Sequence, residues 1–530
     1  MKKLFQILFS GILLSISAGS AAQIDKSDWV GETPDGCTAI TVGKKASIDG
    51  SVMNSHTDDS HRTRSWLDIV PAKKHKKGES VTMYKRTSTN EYAMPAYKHS
   101  PIGNIPQVAE TFAYINTAYP AMNNKQLACG ESTFGGRAEL QSNEGLIDCQ
   151  RLIKLMLERC STAREAIKMA GELTQKYGWN DAGECITVSD KKEVWHLEIM
   201  GMGKGKTGSV WAAQRVPDDH VSVNANASTI KHIDLNNPDY FMASDNIYSL
   251  AKENGWWDGN KAHFQFCYAY APESRNSFAS RRREWQVFNL MAPSLKLDPN
   301  DKDYPFSVKP DKPVTLEKMV EIFKDYYEGT PFDMVKNIKS TNEEGKSVIS
   351  PFANPFMPYD MYELFKINGG WDELGERTIA RWYTMYGTII QSRDWLPDEI
   401  GGVVWLAQDN IATSVYIPVY CGVSDLPESY KTPGRVNGFT RKSAWWAFNR
   451  LSTLTAQRWG DIRHDVDAVW NPLQKKLFEQ QNEFEKKALS VKGKKRTEVL
   501  TEYTIKLGNT AVQKAWDTGD FIWTKYDELF

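Results

Sequence analysis

Residues Asp35 to His61 read DGCTAITVGKKASIDGSVMNSHTDDSH, and this stretch decides how the rest of the chain is understood. From Thr38 to Val42 the run "TAITV" has the β-branched content of a short strand. Asp49-Gly50 supplies turn chemistry and "SVMNSHT" returns as a second strand, so the segment is a hairpin whose first residue is Cys37. A glycine precedes that cysteine. If the chain is cut between Gly36 and Cys37, the cysteine acquires a free α-amine beside its own thiol. An α-amine titrates at about 7.7–8.0, so at neutral pH it can take the thiol proton and later hand it to a leaving amine. One residue then serves as nucleophile and base. The alternative, on position alone, is a small buried cysteine or half of a disulfide.

Upstream, Lys2 and Lys3 precede an apolar run from Leu4 to Ile16, with Ser20, Ala21 and Ala22 after it. This is the pattern of a secretory signal peptide over residues 1–22, which leaves residues 23–36 as a propeptide. The run is shorter than the roughly 20 apolar residues of a membrane span, and no cysteine stands at the cleavage site to carry a lipid. A periplasmic or secreted protein without a membrane anchor is therefore expected.

The chain has 530 residues and a net charge of -1, so no bulk field recruits nucleic acid. The basic cluster Lys73, Lys74, His75, Lys76, Lys77 reads as a solvated loop. Seven cysteines are an odd number for an exported chain: Cys37, Cys129, Cys149, Cys160, Cys185, Cys267 and Cys421. Cys149 and Cys160 fall on one helix, about 16 Å apart by helical rise, and should not bond to each other.

Further strands are expected at "VWHLEIM", "SVWAAQRV", "HVSVNA" and "GGVVWLAQDNIATSVYIPVY". Helices are expected over Gly145–Cys160 and from Thr162, where Glu165 completes a capping box and Gly178 follows the end. Strands and helices are grouped rather than strictly alternating, which favours layered α+β over a doubly wound sheet. Residues 37–440 form the expected core. Residues 441–530 are charged and helical, with "LQKKLFEQQNEFEKKAL" set off by Pro472 and the Gly493 region; they would cover the core or join copies into a homo-oligomer.

In "SHTDDSH" the residues His56, Asp58, Asp59 and His61 suggest a metal site, but adjacent carboxylates point to opposite faces of a strand. A single inward Asp fixing the new ammonium, with His56 beside the thiolate, fits a nucleophile site better, and no metal is expected. "GMGKGKTG", ending at Gly208, matches no phosphate-loop spacing and reads as a hairpin turn. Asn226-Ala-Ser228 is formally a glycosylation acceptor, or equally an amide pointing into a site. GxSxG and HExxH are absent, as is Cys/His spacing for structural zinc.

Taken together, "CTAITVGKKASIDGSVMNSHTDDS", "GESTFGG", "EGLIDCQRLIKLMLERCSTAREAI", "RVPDDHVSVNANASTI" and "SRDWLPDEIGGVVWLAQDNIATSVYIPVYCG" resemble the N-terminal-nucleophile cysteine dipeptidases of the dipeptidase A type. Secernins are relatives, and bile-salt hydrolase and penicillin V acylase more distant ones. The resemblance covers most of Cys37 to about Trp470. It implies an α+β, four-layer αββα sandwich with the nucleophile at the start of a central strand, and autocatalytic loss of the residues before it. By that resemblance Cys37 is the nucleophile, Asp59 holds its α-amine, Asn226 helps build the oxyanion hole and Arg281 is a site arginine. His56 stands where the bile-salt hydrolases have an arginine, and is carried as a substrate-binding residue. Ser132 or Thr133 stands near another oxyanion position, where the relatives have asparagine.

With Cys37 reserved, the other six cysteines form up to three disulfides, in any of 15 connectivities, or stay partly reduced and buried. The expected function is an exported cysteine dipeptidase acting on dipeptides without a cofactor. The alternatives are an amidase acting on N-acyl amino acids or bile-salt-like conjugates, and a non-catalytic exported binding protein.

Overall fold

A computed structural model describes residues 36–60, 63–86, 99–142, 144–333, 335–356, 376–434 and 438–530. The expected signal peptide, and the propeptide up to residue 35, lie outside the described residues, as does His61.

The opening hairpin forms as its sequence dictates. Strand Gly36–Val42 pairs antiparallel with Val52–Asp59 in the register Gly36↔Asp59, Cys37↔Asp58, Thr38↔Thr57. Between them Asp49 Oδ1 accepts from the Ser51 backbone N–H at 3.0 Å, and Gly50 takes φ 83°, a conformation most side chains oppose. Every residue of both strands is buried, which requires cover on both faces.

That cover comes from a second sheet and from helices. The hairpin lies near the middle of a seven-stranded sheet in the order Ser307–Val308, Val221–Asn224, Gly36–Val42, Val52–Asp59, Thr384–Ser392, Val403–Gln408, Ile417–Tyr420. An eight-stranded sheet runs Phe241–Ala243, Val210–Arg215, Val194–Met200, Gly183–Ser189, Ala128–Gly135, Met122–Asn123, Tyr114–Asn116, Asp68–Val70. Neighbours in both are antiparallel. The hairpin packs on Ala128–Gly135 and Gly183–Ser189 of the second sheet. Polar ties cross between the sheets: Thr187 Oγ1 donates to Asn54 Oδ1 at 2.8 Å, and Thr41 Oγ1 lies 3.0 Å from His196 Nε2. A polar layer inside a core is tolerated only when bonded in this way.

Apolar side chains of the second sheet, Ile186, Val188 and Leu197, pack with Leu152, Ile153, Met156 and Ile167 of helices Cys149–Arg159 and Ala163–Tyr177. The capping box at Thr162 and Glu165 is present, and Gly178 ends the helix at φ 79°. The first sheet is covered by Phe278–Met291 and by the helices Ala444–Gln457, Trp459–Leu489 and Lys494–Tyr526.

Pro472 corrects one expectation: it does not set off the amphipathic segment but lies inside Trp459–Leu489. Proline removes one N–H bond and costs an isolated helix about 3 kcal/mol. Here Trp470 and Leu477 are buried on either side of it, and that packing carries the helix through. Gly493, at φ 54°, is where the chain turns into the final helix. "GMGKGKTG" connects the antiparallel strands Val194–Met200 and Val210–Arg215, as a hairpin turn should. Among the described residues no helix is long and apolar enough to cross a membrane.

Candidate active site

Cys37 enters the sheet one residue after the described chain begins, and its position is fixed from three sides. Its backbone N–H donates to Asn226 Oδ1 at 3.2 Å. Its carbonyl accepts from Arg283 Nη1 at 2.7 Å. Its thiol donates to Glu131 Oε2 at 3.0 Å. The thiol is buried; burial first, then the charges of Glu131, Asp58 and Asp59, push it well above its ordinary value.

His56 sits two positions before Asp58, the cross-strand partner of Cys37, and strand alternation puts all three side chains on one face. His56 Nε2 lies 3.1 Å from the same Glu131 oxygen that accepts from the thiol. Its ring is boxed edge-on by Tyr119 and Tyr386 at 5.4 and 5.7 Å. The other Glu131 oxygen is 2.9 Å from Thr133 Oγ1, which is also 2.9 Å from Glu184 Oε1. Burial alone would push the Glu131 carboxyl up, but the bond and charge of His56, helped by Glu184 and Cys37, hold it below the usual range. Glu184 goes the other way: burial, then the Glu131 charge, push it well up. The two carboxyl groups that share Thr133 are therefore pushed in opposite directions.

Asp59, on the opposite face from Asp58, turns its carboxylate to Arg377 Nη2 at 2.7 Å and Thr384 Oγ1 at 2.6 Å. Gly36 is paired with Asp59 and lies against this ion pair. A Cβ at Gly36 would come within 2.7 Å of both Arg377 Nη2 and Asn226 Oδ1, so a side chain there would have to push aside the guanidinium that pairs with Asp59 and the amide that holds Cys37.

Asn226 holds φ 60°, unusual for a residue with a side chain. Its backbone N–H donates to Ser132 Oγ at 2.8 Å and its Nδ2 to the Thr133 carbonyl at 2.7 Å. Glu198 fastens the turn that follows, accepting from the backbone N–H groups of Thr229 and Ile230 at 2.6 and 3.3 Å. In this arrangement Asn226 presents its oxygen, not its N–H, to Cys37.

The structure brings together Cys37, His56, Asp59 and Asn226, but not Arg281. Three consecutive arginines occupy helix Phe278–Met291, and successive helical residues are about 100° apart, so only one can face the hairpin. Arg281 packs over Phe278 and donates to the Asp301 carbonyl at 2.6 Å. Arg282 pairs with Glu376. Arg283 is the one that turns inward, reaching Cys37, Thr38 Oγ1, the Ala225 carbonyl and Asn226 Oδ1. Burial and the Arg377 charge push it down to about 9.

Arg283, Arg377 and Glu131 are contributions that sequence reasoning missed. Glu131 carries a legible signal: an acid within the strand ACGESTFG, where an uncompensated buried charge is costly. All seven cysteines are free and buried, so the disulfide alternative for the remaining six gives way to buried thiols.

Residues 36–472 match the model described as "Peptidase family C69". The chain is 26% identical over 448 residues to a "Probable dipeptidase" of Latilactobacillus sakei, covering 81% of this chain and 83% of that protein. It is 26% identical over 437 residues to a "Probable dipeptidase B" of Lactococcus lactis subsp. lactis (strain IL1403), covering 81% and 82%. It is 24% identical over 486 residues to "Dipeptidase A" of Lactobacillus helveticus, covering 89% and 93%.

Proposed function

The chain belongs to peptidase family C69, and from that premise we propose that it is an exported cysteine dipeptidase whose nucleophile, Cys37, becomes N-terminal when the Gly36–Cys37 bond is broken. The names of the relatives support the substrate class. The observation that carries the mechanism is the clamp on Cys37: its N–H on Asn226, its carbonyl on Arg283 and its thiol on Glu131. On this reading the two packed sheets, with helices outside each, are the αββα sandwich of N-terminal-nucleophile hydrolases.

While Gly36 is attached, the Cys37 nitrogen is an amide and cannot act as a base. Cleavage frees it as an amine where Asn226 Oδ1 already accepts a hydrogen bond, one residue along the strand from Gly36, the cross-strand partner of Asp59. The amine then takes the thiol proton, the thiolate attacks the scissile carbonyl, and the proton passes to the leaving amine. Water hydrolyses the thioester with the α-amine again as base. Asp59 and Asn226 hold the ammonium, Arg283 fixes the nucleophile's own carbonyl, and His56 lines the thiol face toward substrate. Arg281, turned toward Asp301, drops out of this scheme.

A side-by-side assay of unblocked dipeptides and N-acyl amino acids tests the substrate class. Turnover confined to unblocked dipeptides is expected; turnover confined to N-acyl substrates would replace the dipeptidase reading with an amidase.

A further inference from the structure

We propose that Cys37 Sγ, His56 Nε2 and Glu131 Oε2 form a site for a zinc-class divalent cation that reversibly blocks the nucleophile. Sulfur and nitrogen each lie within about 3 Å of the carboxylate oxygen, at 3.0 and 3.1 Å, and all three donor atoms lie within 4.8 Å of one another. Among the described residues this is the one group of three or more His, Cys, Asp or Glu with such spacing.

Thiolate, imidazole and carboxylate are the donor types zinc takes, at about 2.3, 2.0 and 2.1 Å. A tetrahedral ion at those lengths sets donor pairs roughly 3.3–3.6 Å apart, so the sulfur and the nitrogen each need to draw back from the carboxylate oxygen by roughly 0.3–0.6 Å, and their own separation, within 4.8 Å, needs to settle near about 3.5 Å. Three protein donors leave the fourth position open.

The surroundings favour the ion on two further counts. The free Glu131 oxygen is held by Thr133 Oγ1, which orients the ligating carboxylate from behind. The thiolate, the ligating carboxylate and a dication sum to zero among themselves, and the charges of Asp58 and Asp59 that act on the thiol add to the attraction for a cation. Arg283 and Arg377 spend hydrogen bonds on the Cys37 and Ala225 carbonyls and on Asp59 rather than on the three donors.

On binding, the S–H bond breaks, its proton leaves to solvent and the sulfur pair goes to the metal. The Glu131 oxygen exchanges a hydrogen bond for the metal, and the imidazole offers its Nε2 pair with its proton on Nδ1. No electron is transferred. The bound cation stops any reaction that needs the thiolate, and a chelator restores it. None of this depends on the dipeptidase reading.

Cobalt(II) chloride added to the full chain tests the site. A thiolate-to-cobalt absorption band at one metal per chain, displaced by zinc chloride, is expected. Cys37→Ser should abolish the band, while His56→Ala and Glu131→Gln should each weaken binding about tenfold or more. No band with cobalt in excess, or a band that survives Cys37→Ser, would overturn the proposal. Should a variant fail to fold, the wild-type chain decides the matter through alkylation: zinc should protect the Cys37 peptide from iodoacetamide, and unchanged labelling would overturn the site.

Discussion

Two buried ionic clusters lie at opposite ends of the strand Thr384–Ser392, and they are built on different principles. At the far end Arg393 pairs with Glu485 through both oxygens, at 2.9 and 2.7 Å, and donates to the carbonyls of Ile400 and Gly401. Glu485 also accepts from Tyr420 and Gln481. One cation meets one anion. At the near end, Asp58, Asp59, Glu131 and Glu184 gather with Arg283, Arg377, His56 and a thiol, and the protonation states are pushed apart. The balanced cluster ties the Trp459–Leu489 helix to the sheet. The unbalanced one holds groups in states they would not adopt in water, as a reacting centre requires.

The difference is broken most severely at the thiol. Cys37→Ala should reduce dipeptide turnover at least about a thousandfold and leave the Gly36–Cys37 bond intact, while the melting temperature barely moves. Turnover with intact mass checks both parts, and an active variant would remove Cys37 from the chemistry.

Next in size is the balanced cluster. Glu485→Gln leaves the Arg393 charge buried without its partner and should cost about 3 kcal/mol of stability by urea titration. kcat/KM of the folded variant should stay at the wild-type value, and a matching loss of kcat/KM would blur the separation between the two clusters.

The smallest effect sharpens the near end. The folded-state pKa of Glu184 stands above its unfolded value, so the folded chain keeps a proton that the unfolded chain loses above about pH 4.3. The stability due to this group is therefore present below that pH and lost as pH rises. Glu184→Gln, which imitates the protonated acid, should raise the melting temperature at pH 7, with the gain closing toward about pH 4. A variant less stable than wild type at pH 7 would contradict the assignment.

What was legible from sequence was local. The hairpin carries Cys37, His56 and Asp59 within one continuous stretch, and strand alternation already separates Asp58 from Asp59. The Thr162 capping box and the Gly178 stop were readable for the same reason. A run of three arginines does not reveal the helix's rotational phase, so the sequence points to Arg281 while the structure turns Arg283 toward Cys37; the neighbouring Asp301 loop and Glu376 take the other two. Glu131 and Arg377 join the site from 94 and 318 residues away in contacts with Cys37 and Asp59, a juxtaposition that no local pattern encodes. Pro472 reads as a break in the sequence because the packing that carries the helix past it is tertiary.

The central claim, that Cys37 works as a chain terminus, is tested most directly by the N-terminal sequence and intact mass of the active protein recovered from the exported fraction. A chain beginning at Cys37 is the predicted result. A fully active protein that retains the Gly36–Cys37 bond would contradict it, because the amine on which the mechanism depends would still be an amide.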